Sequence, residues 1–136
     1  MEKLEYQILD DVKDAYSWVF STFLRGYKSA APLSAFVASK DYYSQYHAKL
    51  ERALKRFHLV VAAAPDSDDD FFGWALGRTG LLWYVHTKPV YRRQGVADTL
   101  IHRVIDSPRH IEIKHLTPAG SEVLAHIAGR VWHLTE

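Results

Sequence analysis

The 136-residue chain is of single-domain size (1–136), and 48% apolar against 24% charged residues is the balance of a folded globular protein. A net charge of +1 gives no global electrostatic case for nucleic-acid binding, and the absence of cysteine excludes disulfides, thiolate metal sites and a cysteine nucleophile. No apolar run approaches the ~20 residues that cross a bilayer, and Met1-Glu2-Lys3 does not open a signal peptide, so a cytoplasmic protein is expected.

Lys3 to Leu9 alternates loosely and is expected to form a first strand, with Asp10 or Asp11 capping the element that follows. Val12, Ala15, Tyr16, Val19, Phe20, Phe23, Leu24 and Tyr27 recur at three- and four-residue intervals, which predicts an amphipathic helix interrupted by Ala31-Pro32. A second helical region is expected over Ser34 to Phe57, with Tyr43, Tyr46, Leu50 and Leu54 on one face and a break at Ser39-Lys40-Asp41. His58 to Ala64, Phe71 to Gly77 and Leu81 to Thr87 read as three strands of an antiparallel meander. The acidic link Pro65 to Asp70 lacks the ordered ligand spacing of a calcium loop.

After the third of these strands the chain turns at Lys88-Pro89 into Arg92-Arg93-Gln94-Gly95-Val96-Ala97 and then into a helix. That helix carries Val96, Leu100 and Val104 beside Ala97, Ile101 and Ile105, and Ser107-Pro108 is expected to end it. Unpaired N–H groups at a helix N-terminus sit at the positive end of the helix dipole and attract phosphate. Gly95 and Ala97 allow close approach to the main chain, while Arg92 and Arg93 add charge, so the segment reads as a pyrophosphate cradle. His110 to Leu116 alternates as a strand, Thr117-Pro118 opens a last helix that Gly129 stops, and Arg130 to Thr135 can form a final strand.

Arg92-x-x-Gly95-x-Ala97 resembles the Q/R-x-x-G-x-G/A acetyl-coenzyme A signature of the GNAT acyltransferases, and its position between a fourth strand and a third helix matches theirs. The resemblance implies an α/β (α+β) fold, a mixed and mostly antiparallel sheet flanked by helices in the order β-α-α-β-β-β-α-β-α-β. The last strand usual in that family would be missing, which leaves a sheet edge that a second copy could cover. It further implies that backbone groups of Val85, His86 and Thr87 hold the pantetheine arm. Arg92, Arg93, Gln94, Gly95, Val96 and Ala97 would hold the pyrophosphate, and an acceptor amine would attack the thioester directly. The Tyr-Val-His strand and Arg-Arg-x-Gly-Val-Ala cradle are similar to those of small acetyltransferase-like proteins carried by tailed phages.

The family's usual base, a glutamate on the fourth strand, falls at Leu81, which cannot take a proton. His86, with an ordinary pKa near ~6.5, and Glu112 on the fifth strand are the nearest alternatives. The usual tyrosine acid falls at Ala125, beside His126 and one turn after Ser121. These departures also admit a non-catalytic module that binds coenzyme A, a partner protein or nucleic acid, the last prompted by Arg92, Arg93, Arg103 and Arg109. The histidines form no zinc motif, and no resident metal is expected.

Overall fold

The computed structural model describes residues 4–30, 39–67, 69–106, 110–114 and 131–134. In chain order these form β1 (Gln7–Asp10), a 3-10 turn over Lys13–Ala15, α1 (Tyr16–Ala30), α2 (Ser39–Arg56), β2 (His58–Ala63), β3 (Phe71–Arg78) and β4 (Leu81–Thr87). A second 3-10 turn over Pro89–Tyr91 leads to α3 (Val96–Ile105), followed by β5 (His110–Ile113) and β6 (Val131–Leu134). Among the described residues no helix is long and apolar enough to cross a membrane.

The six strands lie side by side in sequence order. β1 to β4 pair antiparallel, as the meander pattern predicts, and β4–β5 and β5–β6 pair parallel. β2 shows why the sheet is buried on both faces. Val60 and Ala62 join the core under α3, while Leu59, Val61 and Ala63 join the core under α1 and α2. On the α3 side the predicted stripe of Val96, Leu100, Ile101, Val104 and Ile105 is fully enclosed. β3 meets it with Gly73, Ala75 and Gly77, and a Cβ at Gly77 would fall 2.2 Å from the Leu81 carbonyl oxygen and 2.7 Å from Val104 Cγ1. Small residues there let α3 lie close to the sheet.

On the other face the core is aromatic. Phe23 of α1 packs against Trp83 and Tyr84, and Trp74 stacks on Tyr84 at 5.1 Å. The β3–β4 register shifts between Leu76 and Gly77, so Trp83 and Tyr84 both enter this core in succession. The buried Trp74 indole N–H donates to Thr22 Oγ1 at 2.8 Å.

Several boundaries differ from the sequence expectations. Val12, not an aspartate, stands before the first helical turn, without a side-chain cap; Asp10 is instead engaged by His58 and Arg103, each at 2.8 Å. Arg103 and His58 are remote in sequence, and an ion pair at the strand end won over a cap. α3 stops at Ile105, two residues before Ser107, and Asp106 caps it in the left-handed conformation at φ 53°. The expected helical stretch 34–38, the Ser107-Pro108 stop, the end of the fifth strand beyond 114, the last helix, and Ala125, His126 and Ser121 lie outside the described residues.

Candidate functional site

The site forms where β4 ends. Lys88 N–H donates to the Phe72 carbonyl on β3 (2.9 Å), so strand alternation turns the backbone groups of Thr87 and Val85 the other way, toward the β5 side. β5 does not follow β4 that far. Its register partners are Leu81 and Leu82, where Glu112 N–H donates to Gly80 O and Lys114 N–H to Leu82 O. Among the described residues the two strands are not paired beyond Leu82, which leaves a gap in the described sheet beside Val85 and Thr87.

α3 begins at the mouth of this gap. Arg93 (φ 64°) and Gly95 (φ 85°) are both left-handed, which turns the chain sharply into the helix. Such turns orient successive N–H groups inward as an anion-binding nest. A Cβ on Gly95 would meet nothing within 4 Å, so open space lies over the cradle. Gln94 and Gly95 are exposed, Ala97 is half-buried, and Val96 anchors the turn in the core. The first turn of α3 is braced from the N-terminal segment: Tyr6 hydroxyl hydrogen-bonds Thr99 Oγ1 at 2.8 Å and donates to Gly95 O at 3.4 Å.

Arg92 does not simply extend into solvent. Its Nε donates to the Thr87 carbonyl at 3.0 Å, which occupies one of the backbone groups expected to hold a pantetheine arm. Val85 keeps the expected orientation. The Thr87 side chain is on the α3 face, where its hydroxyl is buried with no hydrogen-bond partner. An open cradle and an orphaned buried hydroxyl beside it both fit a polar ligand running from the gap to the helix start.

The two proton-transfer candidates stand apart. Glu112 is exposed and in register with Leu81, at the start of β4. Its neighbours Ile111 and Ile113 point to the α3 core, so Glu112 faces the α1 side. His86 is near the other end of β4, five residues along, roughly 16 Å at ~3.3 Å per residue. Its ring meets the edge of Trp18 from α1 at 5.9 Å. Burial, followed by the charges of Arg92, Arg25 and Lys88, pushes its pKa down from 6.5 to about 4. The expected ordinary histidine pKa is therefore not realised. Sequence reasoning missed Trp18, Arg25 and Lys88 at this point; the signal available was Trp18, Thr22 and Arg25 recurring at helical spacing on one face of α1.

Solved structures share the fold. A GCN5-related N-acetyltransferase from Rhodopseudomonas palustris superposes with a TM-score of 0.51 at 15% identity, with 76% of this chain and 65% of that one covered. A Pyrococcus furiosus protein assigned as an acetyl transferase superposes with a TM-score of 0.55 at 14% identity, covering 97% of this chain and 83% of that one. The chain has the GNAT fold. No protein-family model and no curated protein sequence matches it. In GNAT terms the expected element order and the mostly antiparallel sheet are borne out through the described elements. The chain spans 65% of the length of the Rhodopseudomonas protein.

Proposed function

We propose that this protein is a GNAT-type N-acyltransferase that moves an acetyl group from acetyl-coenzyme A to an amine. One observation carries the reading: among the described residues β4 and β5 pair only at Leu81 and Leu82, and the unpaired end of β4 leads past Val85 to the open, left-handed Gly95 at the start of α3. An extended pantetheine arm pairs with the backbone of Val85, the free carboxyl-end edge of β4. The pyrophosphate lies on the N–H groups of Gln94, Gly95, Val96 and Ala97, with Arg92 and Arg93 neutralising its charge. The Thr87 N–H faces the same side, whereas the His86 backbone is turned to Trp74 on β3 and away from the arm, a correction to the sequence expectation.

In the reaction the amine nitrogen attacks the thioester carbonyl carbon. A C–N bond forms, the C–S bond breaks, the thiolate leaves as coenzyme A, and one ammonium proton is lost. Proximity in the gap and a backbone N–H aimed at the carbonyl oxygen supply most of the rate. Glu112 is the better-placed proton acceptor, because it stands beside the Leu81 position on the α1 face. His86, held near pKa 4, is uncharged at neutral pH but has a low proton affinity for base work there.

Calorimetry with acetyl-coenzyme A is the first test. The double variant Arg92→Ala, Arg93→Ala should bind at least tenfold more weakly while keeping the parent's circular dichroism; unchanged affinity would overturn the cradle. Thiol release with an amine panel is the second, and Glu112→Gln should slow it by about 10²-fold or more with affinity unchanged. Leu81 in place of a glutamate also favours a second reading, a module that binds coenzyme A without turning it over. Tight binding with no thiol release across amines and peptides would decide for that module.

A further inference from the structure

Positive charge gathers at the end of β4 on the face away from α3, and of its cations Arg25 and Lys88 are not used by the phosphate cradle. Lys88 Nζ lies 5.4 Å from the centre of the Trp18 ring, which also stacks on Phe71 at 5.4 Å and meets His86. Arg25 follows Trp18 by two turns of α1, past Thr22, whose hydroxyl is tied to Trp74, the register partner of His86. Arg25 Nε and Arg92 Nε both donate to backbone carbonyls, and among the described residues none of Arg25, Lys88 and Arg92 is paired with a carboxylate. The charges acting on the mostly buried His86 ring are all cationic. These cations place on His86 a positive field that an anion would relieve.

The patch lies on the α1 side of β4, the side of the sheet opposite the α3 core, and Trp18 gives it an apolar floor. We propose that Arg25 and Lys88, over Trp18 and His86, form a recognition site for the anionic group of the acceptor, so that the substrate is a small amine that also carries a carboxylate or phosphate. The proposal rests on the acyltransferase reading for the amine's role and on the patch itself for the anion. Arg25 supplies the directional contact, since a guanidinium can meet two anionic oxygens at once, and Lys88 supplies charge. A neutral amine would gain neither.

The experiment titrates the protein with L-glutamate and with O-phosphoethanolamine, each against a counterpart without the anionic group and neutral in that sense, glutamine amide and ethanolamine. The readouts are the Trp18 indole N–H and the His86 ring signals by nuclear magnetic resonance. At least one anionic compound should give saturable shifts at tenfold or lower concentration than its neutral counterpart, and should raise the His86 titration midpoint. Which of the two binds separates carboxylate from phosphate. The variant Arg25→Gln, Lys88→Gln should lose this preference while retaining acetyl-coenzyme A affinity in calorimetry. Equal response to neutral and anionic compounds, or an unchanged preference in the variant, would overturn the proposal. It also falls if coenzyme A displaces the anionic compounds and loses affinity in the same variant, because the cations then belong to the donor. A parent that fails to bind acetyl-coenzyme A would sink the acyltransferase reading, and the resonance titration would still decide the anion site.

Discussion

His86→Gln should flatten the pH dependence of stability between pH 6.5 and 4. In the unfolded chain this histidine takes a proton near 6.5, and in the folded protein only near 4. Between these values the unfolded state holds more protons, so stability falls as the solution is acidified and is full above pH 6.5. At about 1.4 kcal/mol per pH unit, the window corresponds to about 3 kcal/mol lost by pH 4. Asp10 has the same sign at lower pH: burial raises its pKa, but the hydrogen bonds from His58 and Arg103 outweigh that and hold it below its usual value. Comparing parent with variant removes the Asp10 contribution. The variant also loses the ring contact with Trp18, but that loss is the same at every pH and leaves the slope alone. Urea unfolding at half-unit pH steps measures both curves. Parallel curves for parent and variant would refute the argument that burial and three cations hold His86 neutral.

Other expectations follow from contacts already described. Thr22→Val keeps shape but strands the Trp74 indole N–H in the core, and should cost about 1–3 kcal/mol in chemical denaturation. Gly77→Ala drives a methyl group into the Leu81 carbonyl and Val104, and a loss of about 1–3 kcal/mol is expected by thermal melting. Tyr6→Phe removes the brace on Thr99 and Gly95; stability should drop by less than about 1 kcal/mol, while acetyl-coenzyme A affinity should fall several-fold in calorimetry.

Patterns with short sequence range were legible. The α3 stripe reads directly from Val96, Leu100 and Val104, and β4 was bounded at Leu81 and Thr87 as observed. The open cradle was foreshadowed by Gly95, because a left-handed turn before a helix selects glycine. What depends on distant residues was not legible. Nothing near Asp10 announces that Arg103 will reach it, and nothing in the β4 string reveals that Arg92 Nε will claim the Thr87 carbonyl. The state of His86 is set by burial and by the charges of Arg92, Arg25 and Lys88, so its residue type alone suggested the wrong pKa. The short β4–β5 register, Leu81 and Leu82 among the described residues, is likewise a property of two strands meeting and not of either one.

The clasp of the N-terminal segment on α3 has a consequence for how the protein is made. Tyr6 reaches across 93 residues to Thr99, and Asp10 across 93 to Arg103, so both ends of the cradle helix are fastened to the start of the chain. Contacts of such span form only after the intervening chain has been ordered, since the entropy of closing so long a loop must be met first. During synthesis the Tyr6–Asp10 segment therefore waits for a helix near residue 100 before its own strand is secured on that side. A ligand that binds the finished cradle then favours the clasped state by mass action. Acetyl-coenzyme A added during refolding should raise the yield of native protein, and the gain should shrink in the Tyr6→Phe variant.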